Sequence, residues 1–107
     1  MNKLYLILIV HYIADFLLQT RWMGENKSKN MLAMSAHIFI YTLALSIFGL
    51  KFAVVNGFFH LLTDIFSSKL TTYFYGQKNM YGFWAIIGLD QLIHVLILVY
   101  TYEVLLV

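Results

Sequence analysis

The sequence predicts an all-α integral membrane protein, four short transmembrane helices packed as one bundle, on three observations. Of its 107 residues, 62% are hydrophobic and only 11% charged, and the mean hydropathy is +0.78. A soluble domain carries about a quarter charged residues. A span needs about 20 predominantly apolar residues, and runs near that length recur four times. The ionisable residues inside those runs are also ordered: His11 and Asp15, His60 and Asp64, and Asp90 and His94 each stand four apart.

The first span covers residues 2–19. Its start has the outline of a secretory signal, but no small-residue cleavage site follows and the run holds His11 and Asp15, so it reads as a retained span. Residues 20–30 are markedly polar. The second span, residues 31–50, ends in a tight turn at Gly49, Leu50 and Lys51. The third, residues 52–68, is short and polar at its end. Residues 73–84 are rich in Tyr, Phe, Trp and Gly, and rings of that kind settle at headgroup level, so an interfacial segment is expected there. The last span covers residues 84–105, starting either near Gly82 or after Gly88. All 107 residues form one membrane domain on this reading.

With four spans, Arg21, Lys27, Lys29, Lys69 and Lys78 fall on one side and Lys3 and Lys51 on the other. The positive-inside rule then puts both termini outside, in a bacterial inner membrane. Arg21, Lys27 and Lys29 also stand where a phospholipid headgroup would approach, although topology alone explains them. At ~1.5 Å per residue, Asp15 and Asp64 lie roughly 6 Å inside the cytoplasmic boundary, with His11 and His60 roughly 12 Å inside. His37 enters from the same side at a similar depth, and Asp90 and His94 join them if the last span begins after Gly88. The polar groups of all four spans are thus expected to meet in one leaflet.

Every aspartate of the chain belongs to one of the three pairs, as does every histidine except His37. Side chains four apart share one helical face, which lets an imidazole and a carboxylate reach one cation. Charged groups at membrane depth are costly and face a bundle interior, paired. The expected metal ligands are therefore His11, Asp15, His37, His60, Asp64, Asp90 and His94. Imidazole with carboxylate suits Zn²⁺ first, with Mn²⁺ or Fe²⁺ as alternatives. Seven groups exceed one tetrahedral shell and would suffice for two metals sharing an aspartate. Gln19, Asn56 and Gln91 lie on or beside the same stripes and are candidates to orient a ligand. Tyr41, one turn after His37, reads as packing or as a donor behind the ligands. The competing reading takes the pairs as interhelical hydrogen bonds. Such bonds average about 0.6 kcal/mol in membranes, which makes ionisable pairs a costly adhesive. Individually, Ser67, Ser68, Thr71 and Thr72 read as ordinary membrane-helix residues.

Several classes are excluded. There is no cysteine, hence no disulfide, thiolate metal site or Cys nucleophile. The pI is near 8.9, but the few basic residues are scattered and give no duplex nucleic-acid surface. The chain has no Gly-rich phosphate loop and no G-x-S-x-G elbow.

His-x-x-x-Asp-Phe-x-Leu-Gln from His11, the lone His37, His60-x-x-x-Asp64 and Asp90-Gln91-x-x-His94 together resemble a family of small bacterial and phage membrane proteins of unknown function. The likeness covers essentially the whole chain. More distantly, the arrangement is similar to LexA-regulated inner-membrane proteins classed as metal-dependent hydrolases, themselves likened to zinc phospholipase C and the nucleases of its fold. That resemblance implies the same seven residues as metal ligands.

The leading expectation is metal-dependent hydrolysis of a phosphoester in a lipid or nucleotide, with Asp64 or Asp90 as general base. Passage of protons or divalent cations by an oligomer is the rival, since ionisable ladders also serve pumps. A third is a membrane interaction protein in which the cluster is purely structural.

Overall fold

The computed structural model describes residues 3–18, 20–26 and 29–106, with only the backbone of Arg21, Gly24 and Glu25. Helix α1 (Lys3–Tyr12) runs directly into a π-helical turn, Ile13–Leu17. A short α2 (Arg21–Asn26) follows, with the Thr20 hydroxyl accepting from Met23 N at 3.2 Å. Helix α3 (Met31–Leu45) closes in a 3₁₀ turn, Ser46–Phe48. Helices α4 (Leu50–Gly76) and α5 (Met80–Thr101) complete the bundle, and α5 ends in a π-helical turn, Tyr102–Leu106. No strand occurs among the described residues.

The boundaries have local causes. Asn30 caps α3, its side chain accepting from Leu32 N at 2.8 Å, and Asn79 caps α5 by accepting from Gly82 N at 3.0 Å. Between α3 and α4 the chain reverses at Gly49, whose φ of 137° is reached readily only by glycine. The tight turn thus rests on Gly49 and the preceding 3₁₀ turn, while Leu50 and Lys51 are already helical.

Two expectations need correction. Helix α4 does not stop near Ser68 but continues for two further turns to Gly76, so the third segment is 27 residues long. Serines and threonines are polar yet compatible with a helix, and no proline interrupts this one. In addition, residues 73–84 are not set apart from the long helices. They are the end of α4, a short turn and the start of α5, and α5 begins at Met80 and passes Gly88 unbroken.

Two segments, Met31–Phe48 and Met80–Leu106, are long and apolar enough to cross a membrane. With its π turn, α1 spans only Lys3–Leu17, and α4 is long enough but carries Asn56, His60, Asp64 and Ser68 on one stripe.

Each helix turns its polar stripe inward: Ile7, His11 and Asp15 on the first, Met34, His37, Tyr41 and Leu45 on α3, and Asp90, His94, Leu98 and Thr101 on α5. Among the described residues ten polar side chains are buried and ten apolar ones, while Phe39, Ile47, Phe66, Trp84 and Leu92 lie on the outside. This inverts the usual distribution in a soluble domain. The apolar core (Ile7, Ala14, Tyr41, Leu45, Phe52, Ala53 and Leu98) sits beside the polar cluster and holds the helices that carry it.

Helices α3 and α4 approach closely where Gly57 faces Thr42. A Cβ on Gly57 would overlap the Thr42 hydroxyl, whereas a Cβ on Gly88 meets nothing within 4 Å. Gly57→Ala is therefore expected to destabilise the bundle by about 1–3 kcal/mol, the usual cost of overpacking. Gly88→Ala should be neutral or stabilising by about 0.5–1 kcal/mol through helix propensity. Thermal unfolding of the two variants in detergent checks the contrast.

Candidate metal centre

The four long helices bring all seven predicted ionisable residues to one place. The innermost group is Asp15, His37, His60 and Asp64, each 5% exposed or less. His37 Nε2 lies 3.1 Å from His60 Nε2, 3.2 Å from Asp15 Oδ1 and 3.1 Å from Asp64 Oδ2. His60 Nε2 lies 3.3 Å from Asp15 Oδ1 and 3.2 Å from Asp64 Oδ2. A neutral imidazole carries one N–H, directed along one line in the ring plane. One proton on either Nε2 cannot serve three neighbours at once.

These distances are, however, five edges of a tetrahedron. Five of the six edges are therefore 3.1–3.3 Å, the spacing expected of donors about 2.0 Å from a shared Zn²⁺, and the group's ligand atoms all lie within 4.8 Å of one another. Two imidazoles and two carboxylates also satisfy that ion's chemistry. The residues present therefore fit a divalent metal.

Around this group lies a second layer. His60 is clamped between Tyr41, with ring centroids 4.0 Å apart, and His94, stacked at 3.9 Å. His94 is 3% exposed, and neither of its ring nitrogens has a hydrogen-bond partner among the described residues. Its Nδ1 is 3.5 Å from Asp90 Oδ2 and 3.6 Å from Asp15 Oδ2, and its Nε2 is 3.4 Å from Asp64 Oδ1. Asp15 and Asp64 thus turn one oxygen toward the tetrahedral group and the other toward His94. Asp64, Asp90 and His94 form a further set with metal-ligating atoms within 4.8 Å of one another, as do His11, Asp15 and His94.

His11 is held differently from its neighbours. Its Nδ1 lies 2.9 Å from the Tyr41 hydroxyl and its Nε2 3.2 Å from Gln91 Oε1. A consistent assignment has Tyr41 donating to Nδ1 and Nε2–H donating to Gln91. Gln91 Nε2 then donates to Asp15 Oδ2 at 2.8 Å. The π turn begins between the two: Leu18 N bonds Ile13 O, five residues back, so the helix widens at Asp15. His11 and Asp15, four apart in sequence, share Gln91, but only Asp15 reaches the inner group.

The orienting residues fare unequally. Gln91 bridges His11 and Asp15, and also donates to Asp90 Oδ2 at 3.2 Å. Asn56 does not belong to the cluster: its amide nitrogen bonds Phe52 O and Thr101 Oγ1, both at 2.9 Å, tying α4 to α5. Gln19 and Lys27 lie outside the described residues, as does the side chain of Arg21. Ser67, set aside as an ordinary membrane-helix serine, donates to Asp90 Oδ1 at 2.6 Å. Ser68 Oγ is buried without a hydrogen-bond partner among the described residues. The spacing of four puts Ser68 on the stripe of Asn56, His60 and Asp64, but no pattern in the sequence marks Ser67.

Removing the Tyr41 hydroxyl isolates one of these bonds. Tyr41→Phe leaves a buried His11 nitrogen without its donor and is expected to cost about 1–3 kcal/mol of stability. The four donors of the inner group are untouched by it, so metal content should be unchanged when both are measured on the same preparation.

Fold and site together define an all-helical protein with a buried His/Asp cluster able to hold a metal ion. Residues 4–107 match the model of a family described as protein of unknown function (DUF3307), and the chain belongs to that family. No curated protein and no solved structure matches the chain.

Proposed function

We propose that this protein is a membrane-embedded, metal-dependent hydrolase acting on a phosphoester. The observation that carries the proposal is the inner group of His37, His60, Asp15 and Asp64, five of whose six edges have the length expected in a tetrahedral Zn²⁺ shell. Zn²⁺ is the preferred ion, and Mn²⁺ or Fe²⁺ would accept the same donors.

On the strength of the polar interior and apolar exterior we place α1, α3, α4 and α5 within a bilayer. The choice of a bacterial inner membrane with both termini outside rests solely on the excess of Lys and Arg on one side. The longest dimension, 44 Å, equals the thickness of a bilayer with its headgroups.

His37, His60, Asp15 and Asp64 would hold the ion, with Gln91 and His11 fixing Asp15. When bound, a divalent ion supplies Lewis acidity, acidifying water and offsetting charge on phosphoryl oxygens. Asp90, outside the tetrahedral group and anchored by Ser67, is the residue placed to move a proton. In the reaction a water oxygen bonds to phosphorus and the ester P–O bond breaks, its electron pair leaving with the alkoxide. The water's proton passes through Asp90 to that alkoxide, giving a phosphomonoester and an alcohol from a diester.

The test is turnover by the detergent-solubilised, metal-replete protein on a phosphodiester panel. Asp90→Asn should lower kcat by about 100-fold or more, the usual scale of general acid–base catalysis, with metal content retained. Metal binding without turnover on any phosphoester would overturn the hydrolase and favour cation passage, which requires a sealed vesicle to be seen.

A further inference from the structure

We infer that the substrate is a membrane phospholipid that reaches the cluster from the lipid side, one acyl chain lying in the groove between α4 and α5. This rests on the hydrolase proposal and names its substrate class.

The groove has a volume of about 240 Å³ and is walled by Leu62, Phe66, Leu70, Ile86, Leu89 and Ile93. Its polar lining is Thr63, Ser67 and Asp90, with Ser67 fixing the Asp90 carboxylate at 2.6 Å. The groove therefore meets the cluster at Asp90. It is also where the cluster is most accessible: Asp90 is 9% exposed, whereas His11, Asp15, His37, His60, Asp64 and His94 are each at 5% or below.

Two features select a lipid. Among the described residues no Lys or Arg lines the groove, so it offers a nucleotide arriving from water none of the cationic donors that recognise free phosphates. And α5, which forms one wall, belongs to one of the two segments long and apolar enough to cross a bilayer, so in the bilayer placement proposed above acyl chains lie against the groove. A phospholipid carries an apolar chain and a phosphoester on one glycerol, matching a groove that is apolar along its walls and ends at Asp90.

The molecule contains its own comparison. A larger groove of about 410 Å³ lies further along the same two helices, walled by Val55, Phe59, Leu96, Ile97, Tyr100 and Val104. Its polar member is Thr101, which is bonded to Asn56 and not to the cluster. Both grooves are apolar, and only the first leads to the candidate metal centre.

The test uses the full chain in vesicles of phosphatidylethanolamine and phosphatidylglycerol containing phosphatidylglycerol with a diazirine in one acyl chain. After irradiation, adducts are mapped by mass spectrometry. The expected result is several-fold more labelling of Leu62, Phe66, Leu89 and Ile93 than of Leu96, Tyr100 and Val104. Ile93→Trp, which fills the groove, should reduce labelling at Leu62 and Leu89 several-fold without changing metal content. Leu89→Trp, at a more exposed position, makes the same test should Ile93→Trp not fold. Equal labelling of the two grooves, or labelling that ignores the tryptophan, would overturn the inference. Labelling requires no turnover. Groove labelling in a protein without hydrolytic activity would count against the reaction, and activity without groove labelling against the route.

Discussion

Asp64→Asn is expected to abolish stoichiometric metal binding. Asp64 is 1% exposed, and its Oδ2 forms two of the tetrahedral edges, 3.1 Å to His37 and 3.2 Å to His60. Its other oxygen faces His94 at 3.4 Å, so one substitution perturbs both halves of the cluster. Changes to residues behind metal ligands already cost 10–100-fold in affinity, and loss of a ligand should cost more than about 100-fold. Asparagine preserves the side-chain shape, so the loss would report charge and ligation more than packing. Isothermal titration of the chelator-stripped variant with Zn²⁺ reads it directly. Binding within a few-fold of the unsubstituted protein would remove Asp64 from the shell.

A second large effect is a contrast between two histidines that look equivalent in the sequence. His60→Ala should eliminate the metal, because His60 Nε2 is one corner of the tetrahedron. His11→Ala should retain it with affinity weakened about 10–100-fold, the range for residues that orient a ligand. Both His11 nitrogens are engaged, by Tyr41 and by Gln91, and Gln91 in turn donates to Asp15. Equal, complete loss in the two variants would place His11 in the shell itself, as the spacing of His11 and Asp15 first suggests.

That contrast shows where the sequence stops being legible. The His–Asp pairs, their convergence and the apolar segments carrying them could be read from a spacing of four on helices. The π turn at Ile13–Leu17 could not, because no residue type or spacing marks it. Asn56 shares a stripe with His60 and Asp64, yet its partner is Thr101, chosen by where α4 and α5 cross. Ser67 has the opposite history: it was indistinguishable from its neighbours until Asp90, 23 residues on, was seen beside it. The length of α4 was hidden too, since a run of serines and threonines resembles a helix end without forcing one. Of the two starts offered for the last helix, near Gly82 or after Gly88, the first is close to the Met80 start, which the Asn79 cap fixes.

Two buried carboxylates within 4.8 Å of each other and of two imidazoles need positive charge among them. The most direct measurement is elemental analysis of protein purified without chelators, beside Asp64→Asn and His60→Ala prepared identically. A metal-binding protein with the tetrahedral group as its shell will carry stoichiometric Zn, Mn or Fe, lost in both variants. No metal in the native protein, or the same metal content in all three, would contradict the metal centre and leave the His–Asp cluster as a proton path or a structural lock between helices.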